Sequence, residues 1–128
     1  MLKVDKKIEY ALMVLKHMKM DKVTKAKEIS SQYGLPLPML AKVMYKLASG
    51  GFLDSKKGVD GGFTINKGDF NLLNLVELMS GPVECVKCQR TGFECVHSNS
   101  CTISNSMKRL NDRLVDFCKN IKIEELTN

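Results

Sequence analysis

The sequence predicts a mainly α-helical fold carrying one small β-hairpin, and three features predict it. Apolar residues recur at three- and four-residue spacing through most of the chain. The segment FLDSKKGVDGGFTI, residues 52–65, departs from that rhythm and reads as two short strands around a glycine-rich turn. Only 6% of the residues are aromatic and none is Trp, against 44% hydrophobic, so the core must be built from Leu, Ile, Val and Met, which suits helices.

At 128 residues the chain is one domain's worth, with room for an appended oligomerisation element. Its first twenty residues contain neither a cleavable apolar leader nor a span long enough to cross a membrane. A cytoplasmic protein is therefore expected, in a compartment where thiols stay reduced and clustered cysteines more often bind metal than form structural disulfides.

Residues 4–19 read as the first helix, with Val4, Ile8, Ala11, Leu12, Leu15 and Met18 on one stripe. Tyr10 to Leu15 is apolar nearly all round, so this helix should be mostly buried, with Glu9 adjoining the run on a solvated face. Thr24 is the expected N-cap of a short second helix carrying Ala26, Ile29 and Tyr33, and Gly34 its left-handed C-cap. Pro38 suits the first position of a third helix, where its missing N–H would have no intrahelical partner anyway. That helix sets Leu40, Val43, Met44 and Leu47 on one face and Met39, Lys42, Lys46 and Ser49 on the other, and Gly50-Gly51 stops it.

Two short helices joined by a tight Gly-containing turn, the second with one apolar and one basic face, form a helix-turn-helix pattern. A hairpin with Lys56 and Lys57 at its tip comes directly after it, which makes the pattern a winged helix. Charge agrees with it: residues 1–67 hold 13 lysines against 6 acidic residues, whereas 68–128 hold 7 bases against 8 acids, so the net +6 belongs to the first half. A cationic half-domain bearing this motif is the footprint of nucleic-acid binding. The third helix is expected in the major groove of a double-stranded DNA operator, with Lys42 and Lys46 along it and Pro38 and Met39 near its start as base or methyl contacts. Lys56 and Lys57 would reach phosphate or the neighbouring minor groove.

From Asn71, LLNLVELM gives a further short helix with Leu72, Leu75, Val76 and Met79 inward, ended by Gly81-Pro82. Residues 1–80 are thus expected to form the DNA-binding domain, 81–102 a cysteine-rich loop, and 103–128 a dimerisation helix and tail. The loop holds four of the five cysteines, Cys85 and Cys88 as C-x2-C, then Cys95 and Cys101, with Gly92 between the pairs. Its apolar company is Val83, Val86, Phe93 and Val96, too little to explain the thiols as core residues. Clustered thiols in a loop of this length favour metal or cluster ligation, with reversible disulfide chemistry as the other reading. Beyond it, Ile103, Met107, Leu110, Leu114, Phe117 and Ile121 fall at alternating spacings of four and three, an a/d seam. Nineteen helical residues at ~1.5 Å each would give a rod of about 28 Å. The seam either packs on the chain's own first helix or pairs with its copy, and two-fold DNA sites favour the homodimer.

The whole order, including the wing GVDGGFTINKGDF, the helix LVELMSGP, the cysteine loop and the ending LNDRLVDFCKNIKIEELTN, resembles the Rrf-two family of iron-sulfur winged-helix transcription regulators, with its IscR-, NsrR- and RirA-like branches. The resemblance implies a homodimeric repressor or activator whose DNA affinity depends on an iron-sulfur cluster sensing nitric oxide, redox state or iron supply. It assigns the ligands to Cys88, Cys95 and Cys101, whose C-x6-C-x5-C spacing lies close to the family's C-x5-C-x5-C, and leaves Cys85 without a counterpart. IscR-like members place a histidine three residues after the last cysteine; here that position is Ser104, and His97 inside the loop does not match it. NsrR-like members recruit a carboxylate of the first helix, which here is Glu9, and in a dimer it could come from the partner. The missing histidine and the available Glu9 favour [4Fe-4S] over [2Fe-2S]. Family members often carry Glu and Gln where Ala41 and Lys42 stand, so a different operator preference is expected.

Two other readings of the loop stay open: a structural zinc held by Cys85, Cys88, Cys95 and Cys101, and a cluster-free thiol-disulfide switch. An enzyme is not expected. Nothing pairs a nucleophile with a base, no Gly-rich phosphate loop succeeds a strand, and His17 and His97 stand in unrelated contexts, so neither a small-molecule substrate nor a membrane partner is implied.

Overall fold

The computed structural model describes residues 3–66, 68–85, 88, 92 and 94–128, so Val86 and Phe93 lie outside the described residues. Among these the elements run α1 (Lys6–His17), α2 (Ala26–Tyr33), α3 (Leu37–Ser49), β1 (Leu53–Lys56), β2 (Gly62–Ile65), α4 (Leu72–Ser80), α5 (Ser104–Lys119) and α6 (Ile123–Thr127). The mainly helical, winged architecture expected from the sequence is the one observed.

α1 starts two residues later than its periodicity suggested. The side chain of Asp5 accepts the backbone N–H of Lys7 at 3.3 Å and so caps the helix, leaving Val4 outside it and exposed. A second correction concerns Thr24, which is not the N-cap of α2; Lys25 holds that position. The backbone of Thr24 is engaged by the wing instead, donating to the Phe63 carbonyl at 2.8 Å and accepting from its N–H at 2.9 Å. That bridge adds a third extended segment beside β2 and buries Thr24 almost completely. Gly62 permits the approach, because a Cβ there would lie 2.8 Å from the Thr24 carbonyl oxygen.

Gly34 ends α2 at φ 66° and ψ 32°, the left-handed C-cap expected of it. Pro36 is the N-cap of α3, so Pro38 falls at the second helical position rather than the first. Either position lies in the first turn, whose N–H groups lack intrahelical partners. Leu40, Val43, Met44 and Leu47 are all buried, as the spacing required. They meet α1 and α2 in a core that also takes Ile29 and Leu75. α4 opens with a reciprocal cap, in which Asn71 and Asn74 each accept the other's backbone N–H at 2.9 Å. Leu75 and Met79 are buried and Leu72 and Val76 half-buried; Leu73, off the expected stripe, is buried too.

The long C-terminal helix is present but shorter than the seam implied. α5 covers 16 residues, about 24 Å at ~1.5 Å per residue, and Ile121 lies beyond its C-cap, Asn120. The chain turns back because residues 121–123 are drawn to the core. Leu72 N–H donates to the Ile121 carbonyl at 2.8 Å, Ile123 N–H donates to the Phe70 carbonyl at 3.0 Å, and the Ile123 side chain is buried in the core. The N-I-K-I-E-E-L ending is thus a clasp that returns α6 to α1.

Candidate functional site

α3 packs against β1, so the outward side of the helix and the hairpin lie next to each other. On α3, Pro38, Met39, Lys42 and Lys46 are exposed opposite the buried face. Lys56 and Lys57 are exposed at the end of β1 and in the turn after it. The antiparallel register runs from Leu53↔Ile65 to Lys56↔Gly62, so the hairpin projects its basic tip past the sheet. Lys25 Nζ donates to the Val59 carbonyl at 3.0 Å and ties that tip to the start of α2. Sequence reasoning missed Tyr45. It is 65% exposed on the outward side of α3, and its ring meets the Phe63 ring of β2 edge-on at 5.3 Å. The signal was available: Pro38, Lys42, Tyr45 and Ser49 keep helical spacing along the outward face.

Behind this surface, His17 Nδ1 and the Tyr33 hydroxyl lie 3.0 Å apart and join α1 to α2, while Glu28 lies 3.6 Å from His17 Nε2 and 3.3 Å from Lys22 Nζ. The Lys22 hydrogen bond, and secondarily His17, hold the Glu28 carboxyl below the usual carboxylate range. The Lys22–Glu28 pairing is therefore present at neutral pH and is lost only as pH falls through that lowered value.

The cysteine loop closes on a cavity. Cys88, Cys95 and Cys101 line one space of about 500 Å³ together with Glu94, Ser98 and Ser104. Tight turns fold the segment: Ser98 N–H donates to the Cys95 carbonyl at 3.1 Å and Ser100 N–H to that of His97 at 3.0 Å. The backbone N–H of His97 also reaches Cys95 Sγ at 3.4 Å, the kind of hydrogen bond that tunes a metal-bound sulfur. At the loop's entrance, Cys85 N–H donates to Asn111 Oδ1 of α5 at 2.9 Å. Ser104, the first residue of α5, comes after an N-cap, Ile103, that makes no side-chain cap. The positive end of that helix dipole therefore borders the cavity.

Among the described residues, no three Cys, His, Asp or Glu side chains converge closely enough to hold a single metal ion. That geometry and the shared cavity answer different questions. A mononuclear zinc needs four donors roughly 2.0–2.3 Å from one point, whereas an iron-sulfur cluster spreads its thiolates over separate irons. Three thiols and a carboxylate around one cavity fit a cluster as a donor set. Cys85, the fourth thiol of a zinc site, is not among the lining residues.

The other sequence candidates lie elsewhere. Glu9 sits on the exposed side of α1, 3.4 Å from Lys6 Nζ, and does not line the cavity. His97 is exposed and does not line it either. Cys118 sits half-buried on α5, and burial pushes its thiol pKa up, which disfavours the thiolate. Among the described residues no disulfide joins any of the cysteines.

The seam of α5 divides between two faces. Met107 and Leu114 are half-buried together with Asn111, Val115 and Cys118, on the face turned toward the chain's own body, where α5 packs on α4. Ile103, Leu110 and Phe117, seven residues apart, are 55%, 45% and 61% exposed. An apolar stripe with that interval is the pattern one helix offers to another.

Comparison with known proteins places the chain. Residues 4–128 match the model of the Rrf2 family, described as "Iron-dependent Transcriptional regulator". A protein of Aquifex aeolicus, described provisionally as an HTH-type transcriptional regulator, is 29% identical over 94% of this chain and 88% of its own. The HTH-type transcriptional regulator IscR of Enterobacter sp. is 28% identical over 79% of this chain, a match that spans 63% of the IscR chain. Among solved structures, CymR of B. subtilis, the global cysteine regulator of that organism, superposes with a TM-score of 0.72 at 20% identity, covering 99% of this chain and 97% of that one. IscR of T. potens superposes at 0.66 and 18% identity, covering 98% and 85%. Among the described residues no helix is long and apolar enough to cross a membrane.

Proposed function

We propose for this chain, which belongs to the Rrf2 family of transcriptional regulators, a role as a homodimeric DNA-binding protein whose operator affinity is set by an iron-sulfur cluster in the cysteine cavity. The observation that carries this reading is the cavity lined by Cys88, Cys95 and Cys101, with no place in its lining for Cys85. Bound there, a cluster supplies an iron centre open to nitric oxide or oxygen, or lost when iron is scarce. [4Fe-4S] is favoured over [2Fe-2S], because Ser104 stands where a histidine ligand would be expected. The protein itself contributes three thiolates, the His97 N–H at Cys95 Sγ, and the positive end of α5 against an anionic group. The family is one of regulators and not of enzymes, and a cytoplasmic site of action fits that role.

Anaerobic purification tests the reading, with visible absorption and circular dichroism spectra and iron, sulfide and zinc measured on one sample. A broad band near ~400 nm with iron matched by sulfide supports it. About one zinc per chain without iron would replace the cluster by a structural zinc. Metal-free protein whose DNA affinity changes with thiol oxidation would make the loop a disulfide switch.

The DNA side rests on Pro38, Met39, Lys42 and Lys46 of α3, with Tyr45 beside them, and on Lys56 and Lys57 of the wing. Replacing both wing lysines by glutamine should weaken binding to every sequence alike. It should also lower the slope of log K against log salt by about 2, since each phosphate that a lysine neutralises contributes roughly 0.9 to it. A slope that does not move would show that the wing leaves the DNA backbone untouched.

A further inference from the structure

We propose that Glu94 is the oxygen ligand of the cluster, contributed by the same loop as Cys88, Cys95 and Cys101. The inference rests on the cluster reading above and names the fourth donor. Among the described residues the polar cavity-lining groups besides the thiols are Glu94, Ser98 and Ser104. A metal ligand must give up its proton first. Of these three side chains the carboxylate is the one that commonly ligates iron and other metals, whereas serine hydroxyls rarely do, so Glu94 is the ready oxygen donor. Glu9, the other carboxylate in question, is engaged by Lys6 at 3.4 Å on the exposed side of α1 and is not part of its own chain's lining; it would serve only if supplied by a second subunit.

Local chain geometry allows neighbouring residues to share the cavity. In an extended segment the side chains of Glu94 and Cys95 would point to opposite faces. Here both residues line the same space, just ahead of the turn in which the Ser98 N–H returns to the Cys95 carbonyl at 3.1 Å. Six residues separate Cys88 from Cys95, and the last of them is Glu94. A carboxylate oxygen is a harder donor than thiolate and binds iron less tightly in a sulfur-rich site. Glu94, Cys88 and Cys101 are all exposed, so an iron held by the carboxylate would be set apart by its weaker ligand and would be the first open to exchange. No electron is transferred in ligation.

Full-length wild type, Glu94→Ala, Glu94→Cys and Glu9→Ala are loaded with iron-57 and compared anaerobically by Mössbauer spectroscopy, sulfide content and rate of iron loss to a chelator. Wild type and Glu9→Ala should each show one iron distinct from the rest. Glu94→Ala should lose that signature and release iron about tenfold faster or more. Glu94→Cys should hold a cluster whose irons are all sulfur-ligated, which also shows that substitution at this site leaves the loop competent. Glu94→Ala with the wild-type spectrum and rate overturns the assignment, as does loss of the distinct iron in Glu9→Ala. Wild type without iron and sulfide overturns the cluster reading itself, a separate failure visible before any variant is made.

Discussion

Replacing Cys101 by alanine is expected to abolish stable iron and sulfide binding while leaving the DNA-binding domain folded. Cys101 is exposed at the rim of the cavity and takes no part in the core, so no apolar packing of consequence is removed. The loss falls on ligation alone. Changes to groups that merely orient a metal ligand typically cost 10–100-fold in affinity, roughly, and removal of a ligand should cost more. Anaerobically purified variant should therefore be colourless, with a thermal unfolding midpoint equal to that of demetallated wild type. The same result is expected for Cys88 and Cys95, whereas Cys85→Ala should keep its iron. If Cys101→Ala retained wild-type iron and sulfide, the three-thiolate assignment would be wrong.

The second large effect is expected on α5. Leu110→Glu and Phe117→Glu place a carboxylate on the exposed stripe, where the isolated chain should tolerate it, because surface substitutions usually change stability by less than ~0.5 kcal/mol. In a dimer that buries the stripe, each substitution occurs twice. Loss of roughly 1.5–3 kcal/mol per buried side chain would total about 3–6 kcal/mol, or ~10²–10⁴ in the dimer dissociation constant. Light scattering should find monomers at concentrations where wild type is dimeric, and affinity for a two-fold operator should fall with it. A Phe117→Glu variant that stays dimeric would place the interface elsewhere.

Most of the architecture was legible because local signals and the core agreed. Leu40, Val43, Met44 and Leu47 are spaced for burial and are buried, and Gly34 takes the left-handed conformation that a helix stop requires. The misreadings came where a distant segment competes for a residue. Thr24 looks like a cap in isolation, but Phe63, 39 positions along the chain, uses its backbone. Ile121 continues the heptad on paper, yet Leu72 holds its carbonyl and Ile123 is drawn into the core. The cysteine cluster was visible in the sequence, and Cys88, Cys95 and Cys101 line one cavity. The place of Glu94 in that lining was not visible, since a lone carboxylate in a polar loop carries no periodic signal.

The clasp at Ile121–Ile123 gives α5 the mechanics of a lever. Its C-terminal end is pinned by the hydrogen bonds to Leu72 and Phe70, next to the core, while its N-terminal end, at Ser104, borders the cysteine cavity. Between the two lie 16 residues, an arm of about 24 Å at ~1.5 Å per residue. A sideways displacement of ~1 Å at the cavity end therefore turns the arm by about 2° around its pivot. The pinned end lies beside Phe70 and Leu72, and α6 packs on α1, so α5 spans the distance from the cysteine cavity to the helices of the core.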